Sequence, residues 1–218
     1  MSDAHALSRR TVLSAALAFP VLVRTPAQAA GSPVVTLLGD SITAGFGLPT
    51  AAALPVQLER ELRGLGVTAR VRSAGITGDT TAGGLRRVDR SVAADTDLCI
   101  VALGGNDLLN LVEPTRVRAN LEGIVRRLKA KQVKVVLAGL QAPAELGAYA
   151  RSFNAVFPAV ARTQSVPLHA SLLAGVALDR RYNQSDLIHP NAAGVRIIAR
   201  RLAPLVASAL KSKAAAVR

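Results

Sequence analysis

Residues 32–47 read SPVVTLLGDSITAGFG. The run from Val34 to Leu38 is apolar and rich in β-branched side chains, and it stops at Gly39. That pattern predicts a buried strand. A polar, glycine-bounded turn follows, with a helix candidate after it. Ser41 at this junction is expected to hold its hydroxyl exposed near a helix N-terminus, where unpaired backbone N–H groups and the helix dipole favour negative charge. Taken alone, a serine there is better explained as a helix cap.

Outward from this stretch the same unit recurs. The segment AAALPVQLERELRGLG predicts a helix ended by Gly64 or Gly66, and VTARVRSAG a second strand that meets Gly75. TTAGGLRRVDRSVAA predicts a helix weakened by Gly83 and Gly84, TDLCIVALGG a buried third strand, and EPTRVRANLEGIVRRLKAKQ a helix with Pro114 near its start. VKVVLAGL is a fourth strand. YARSFNAVFPAVARTQS is helical around Pro158, VPLHASLL offers a short fifth strand, and the helix that closes the chain starts at Pro190. Strands alternating with helices predict an α/β fold, a parallel sheet with helices on both faces. Ligands of such sheets bind beyond the carboxyl ends of the strands. The turns GDSITAG, AGITGDT and GGND each follow a predicted strand, so all three should meet on one edge.

A serine hydroxyl is a weak nucleophile without a base within hydrogen-bond reach. Of the three histidines, His5 is near the start of the chain and His169 reads as a strand-end residue. His189 lies in SDLIHPNAAG with Asp186 three residues before it. One compact turn lets Asp186 accept from one ring nitrogen and leaves the other to face Ser41. Asn106, in GGND, can donate its amide to the oxyanion of a tetrahedral intermediate. Gly75 can present a backbone N–H without side-chain obstruction. Each of these residues also has a plain reading as a turn or cap residue. Their common position at strand ends is what joins them.

Residues 1–29 have the three-part layout of an export signal: the pair Arg9–Arg10, an apolar stretch from about Val12 to Val23, and AQA before Ala30. The string SRRTVL resembles a twin-arginine signal. The expectation is an exported protein, periplasmic or extracellular, whose leader engages the export machinery and is cleaved after Ala29. The stretch is short for a membrane span. Residues 30–218 are then one domain without stable membrane insertion. The chain has 27 lysines and arginines against 14 acidic residues, a formal charge of +13. The pairs Arg60 and Arg63, Arg86 and Arg87, Arg126 and Arg127, and Arg200 and Arg201 are scattered over separate helical segments. They predict a solvated surface, and with aromatics at 3% no nucleic-acid platform is expected. The lone cysteine, Cys99, falls in a buried strand and reads as a small hydrophobe.

With these residues in view, the chain resembles the SGNH hydrolases, also called the GDSL lipase/esterase family. GDSITAGFGL resembles the family's first block, AGITGDTTAGG the second, LGGND the third and DLIHPNAAG the last. The likeness is nearest to the small periplasmic thioesterase/lysophospholipase and arylesterase group, which VLAGLQAP and YARSFNAVFPAVA also resemble. It implies a three-layer α/β/α flavodoxin-like fold with a five-stranded parallel sheet. It implies Ser41 as nucleophile, Asp186 and His189 as its partners, Gly75 and Asn106 as oxyanion donors, and neither metal nor cofactor. Ser73 stands where the group's second block reads asparagine. This bears on local turn hydrogen bonds and leaves the Gly75 N–H as the expected donor.

The expected activity is hydrolysis of short to medium acyl or aryl esters, with acyl thioesters and lysophospholipids as further substrates. Leu108, Leu109 and Leu111 would either line an acyl groove or anchor their loop to the core. A deacetylase of cell-envelope glycans would use the same five residues. A non-catalytic flavodoxin-like binding protein is the alternative of another class. Against a flavin, the chain has no tryptophan and only two tyrosines, Tyr149 and Tyr182, neither in the strand-end turns. No P-loop motif occurs.

Overall fold

The computed structural model describes residues 31–212. The leader reading, residues 1–29, lies outside the described residues. The elements run β1 (Val34–Gly39), α1 (Ser41–Ala44), α2 (Leu54–Gly64), β2 (Arg70–Gly75), α3 (Thr81–Ser91), β3 (Leu98–Ala102), α4 (Gly105–Leu109), α5 (Pro114–Ala130), β4 (Lys134–Ala138), α6 (Gly147–Gln164), β5 (Leu168–His169) and α7 (Ala192–Lys211). The five strands form one parallel sheet in the order β2-β1-β3-β4-β5. This is the flavodoxin-like order. Helices α2 and α7 pack together, as do α3 with α5 and α5 with α6. Helices therefore cover both faces, as expected.

The central strands are apolar because both of their faces are covered. Every residue of β1 and of β3 is buried. Cys99 is enclosed in β3, and burial pushes its thiol up to about 12, so it behaves as the expected hydrophobe. His169 ends β5 as expected; burial, then the charge of Arg201, draws its pKa below the ordinary value.

Several local expectations are corrected. The helix after Ser41 is a single turn, closed by Gly45 in the left-handed conformation, and the long helix begins only at Leu54. Asn106 sits on the short helix α4, which the GGND turn did not reveal. The last helix starts at Ala192, not Pro190. Asn191 caps it by accepting from the N–H groups of Ala193 and Gly194, while Pro190 pairs with Asn183 in an isolated antiparallel bridge. Of the paired arginines, Arg87 is 3% exposed and is no surface charge.

Ile100 lies fully buried in the middle strand, β3. Ile100→Ala should cost about 2–5 kcal/mol, since it leaves a cavity in a close-packed core that relaxes only in part. Urea denaturation of the wild type and the variant measures this.

Candidate active site

The register of the sheet builds the site. Gly39 pairs with Gly75 on one side and with Ala102 on the other, so three strands end level. The three polar turns therefore emerge side by side.

The chain leaves β1 through Asp40. Its Oδ1 accepts from the Ile42 N–H at 3.1 Å and caps α1. Asp40, not Ser41, is thus the cap, and Ser41 is the first helical residue. The Ser41 hydroxyl was expected to be exposed, yet the residue is only 7% exposed. It lines a crevice with Phe46, Leu48 and His189, and the Phe46 ring lies 4.5 Å from that of His189. Burial raises the Asp40 carboxyl to about 6; the Ile42 N–H and the charge of nearby His189 pull the other way.

The far end of the chain supplies the base. His189 Nε2 lies 3.0 Å from Ser41 Oγ, and His189 Nδ1 lies 2.6 Å from Asp186 Oδ2. Asp186 Oδ1 accepts from the backbone N–H groups of Ile188 at 2.9 Å and His189 at 3.0 Å, which wraps residues 186–189 into the compact turn expected from their spacing. The hydrogen bond to the His189 ring, then those two N–H groups, hold the Asp186 carboxyl down at about 2. An ionised Asp186 can only accept, so Nδ1 carries a hydrogen, and in the neutral form of the ring this leaves the Nε2 lone pair to face the serine hydroxyl. Gln184 ties this turn to the other side of the site: its Nε2 donates to the Phe46 carbonyl at 2.8 Å.

The Asn106 amide donates to the Asp79 carbonyl at 2.8 Å, which fixes its plane and leaves its second N–H unassigned. Asp107 turns inward and accepts from both the N–H and the hydroxyl of Thr81.

Gly75 does not present a donor to Ser41. On β2 the N–H groups of Arg70 and Ile76 donate across to β1, while that of Val71 points the other way, onto Glu59. Strand N–H groups alternate in direction, so the Gly75 N–H faces the free edge with that of Val71. There it donates to Ser73 Oγ at 3.2 Å, and that hydroxyl donates to the Thr43 carbonyl at 2.8 Å. The serine that replaces asparagine therefore engages the N–H it was expected to leave free. The need for glycine at 75 is steric: a Cβ would lie 2.4 Å from the Ala44 nitrogen.

The N–H that sequence reading missed is that of Gly78. The Asp79 N–H bonds to the Ile76 carbonyl at 3.0 Å, and Gly78 within this turn has φ of 79°. In a type II turn this is the position that favours glycine. Among the described residues neither the Gly78 N–H nor the Ser41 N–H meets an acceptor. The clue in the sequence was Gly-Asp inside a polar turn.

What the site offers is a hydroxyl beside an imidazole that a carboxylate orients, with N–H donors nearby. Among the described residues no cluster of histidine, cysteine, aspartate and glutamate could hold a metal ion.

Residues 37–197 match the GDSL-like Lipase/Acylhydrolase family. The chain is 35% identical over 184 residues to "Esterase TesA" of Pseudomonas aeruginosa, covering 84% of this chain and 90% of that protein. It is 32% identical over 196 residues to "Thioesterase 1/protease 1/lysophospholipase L1" of Escherichia coli, covering 87% and 93%. Among solved structures, AlinE4, an SGNH-hydrolase family esterase, is 38% identical with a TM-score of 0.69, covering 85% of this chain and all of that one.

The raised Asp40 carboxyl has a consequence for stability. Between about pH 4 and 6 the folded protein holds a proton that the unfolded chain, near 3.8, has lost, so this group's contribution falls as pH rises through that window. Asp40→Asn lacks the effect. Its stability relative to wild type should rise by on the order of 2 kcal/mol from about pH 4 to 7, measured by chemical denaturation at both values.

Proposed function

The chain belongs to the GDSL-like lipase/acylhydrolase family, and on that footing we propose that it is a serine esterase with Ser41 as nucleophile, His189 as general base and Asp186 as the group that orients the base. The observation that carries the assignment is the 3.0 Å approach of His189 Nε2 to Ser41 Oγ, with the 2.6 Å contact of Asp186 behind it. These distances suit proton transfer.

His189 takes the Ser41 proton as Oγ adds to the ester carbonyl carbon, and the carbonyl electron pair moves to oxygen. The Ser41 N–H, the Gly78 N–H and the Asn106 amide hold that oxyanion. Collapse breaks the bond to the leaving group, and the imidazolium gives its proton to the departing alkoxide or thiolate. Water, deprotonated by His189, then adds to the acyl-enzyme. A second collapse returns the proton to Ser41 and releases the acid.

The rim of the site bears on the substrate. Phe46, Ile76, Leu109, Leu111, Leu146 and Ile188 are exposed, and each lies in the connection between the carboxyl end of a strand and the next long helix. Leu108 instead packs against the core, which fits the anchoring reading for that residue. An apolar rim favours short to medium acyl or aryl esters over acetylated glycans. Acyl thioesters and lysophospholipids fit the same chemistry. The leader reading makes this an exported enzyme that acts in the periplasm or outside the cell; among the described residues no helix is long and apolar enough to cross a membrane.

Ser41→Ala should nearly abolish hydrolysis of an aryl ester. Asn106→Ala should lower kcat about 10²–10³-fold, and Asp186→Asn by up to about 10⁴-fold through the wrong tautomer. A fluorophosphonate should label Ser41 in the purified protein. Mapping of the adduct to any other residue would overturn the assignment. Rates on an aryl acetate, a longer acyl ester and an acetylated glycan rank the substrate classes.

A further inference from the structure

Arg87, on the face of α3 turned to the sheet, is 3% exposed and spends its whole guanidinium on the strand-end turns. Its Nε donates to Asp79 Oδ2 at 2.6 Å, Nη1 to the Ala74 carbonyl at 2.7 Å and Nη2 to the Gly39 carbonyl at 2.8 Å. Asp79 is itself only 10% exposed at its side chain. The guanidinium thus joins the end of β1, one residue before Asp40, to the end of β2 and to the turn that carries Gly78. The other oxygen of Asp79, Oδ1, accepts from the Thr80 N–H at 3.0 Å, and the Asp79 carbonyl receives the Asn106 amide.

We propose that Arg87 is a positioning residue for the oxyanion donors: through Asp79 it fixes the 76–79 turn, and so aims both the Gly78 N–H and the Asn106 amide, while through Gly39 it holds the same turn in register with the strand end that carries Ser41. Covering a cation this fully is costly, and a planar fork with three satisfied directions offsets the cost where a lysine could not. A site 1 Å out of place can lose about a hundredfold in rate, so a clamp of this kind acts on kcat while substrate affinity, set by the apolar rim, stays. The inference rests on the esterase reading above.

The test is a double-mutant cycle in the full chain with an aryl ester, using Arg87→Lys, Asn106→Ala and the pair, with unfolding temperatures alongside. Arg87→Lys should lower kcat about tenfold to a hundredfold, as losses of outer-shell partners do, and leave KM within about threefold. In the Arg87→Lys background Asn106→Ala should cost less than about tenfold, because the amide is already displaced; independent sites would multiply. Unchanged kcat with only a lower unfolding temperature, or a fully multiplicative pair, overturns the inference. If Arg87→Lys does not fold, Asp79→Asn carries the same cycle, with kcat at least about threefold down at constant KM as the requirement. If neither folds, the clamp is a folding element and the inference falls. Activity that survives Ser41→Ala would remove the hydrolase reading itself, which separates that failure from this one.

Discussion

The level ending of three parallel strands is the constraint on which the rest of this molecule depends. Gly39 stands between Gly75 and Ala102. The chain runs from β1 outward to β2 and then back across to β3, so the direction of winding reverses beside β1. At such a point the connections diverge and leave a crevice at the carboxyl edge. Ser41 sits at the end of the inner strand, the Gly78 turn on one flank and Asn106 on the other. A slip of one residue in either pairing would turn side chains to the opposite face and break this alignment.

The imidazole reaches the same crevice from far along the chain. Helix α7 packs on α2, the helix that leads away from the nucleophile turn, and Asn191 caps it. The residues just before that cap are brought to the carboxyl edge of the sheet. Asp186 then curls them, with Leu187 at φ of 60°, so that the ring turns towards Ser41. The Gln184 bond to the Phe46 carbonyl closes the circuit between the two ends of the domain.

Beneath the crevice lies a layer of polar groups that is unusual in so apolar a core. Asp40, Thr81, Arg87 and Asp107 are all at most 5% exposed. Each is engaged: Asp40 with the α1 backbone, Asp107 with Thr81, and Arg87 with Asp79 and two carbonyls. Buried polar groups of this kind are tolerated where their partners are in place, and they hold a single geometry better than apolar contacts do. Among the described residues Asp40 is the carboxylate whose pKa burial raises most plainly, and it adjoins the nucleophile.

Much of this was legible from residue order alone. Hydrophobic runs running into glycine marked β1 and β3, because a strand covered on both faces must be apolar throughout, whereas β2, an edge strand, was marked by alternation before Gly75. Asp186 three residues before His189 marked the compact turn, because that interaction is local. What the sequence could not decide was direction and partnership across long separations. Gly75 and Gly78 both sit in a polar turn, and the choice between their N–H groups follows from the alternation of β2 and from a hydroxyl on Ser73, seen only once β2 is laid beside β1. Arg87 looked like one of several surface pairs; it shares the buried face of α3 with Gly83, Gly84 and Val88, but nothing local shows that Gly39, 48 residues earlier, supplies an acceptor. Side-chain chemistry and local periodicity are properties of the chain, whereas the acceptor that a buried donor meets is a property of the packed sheet.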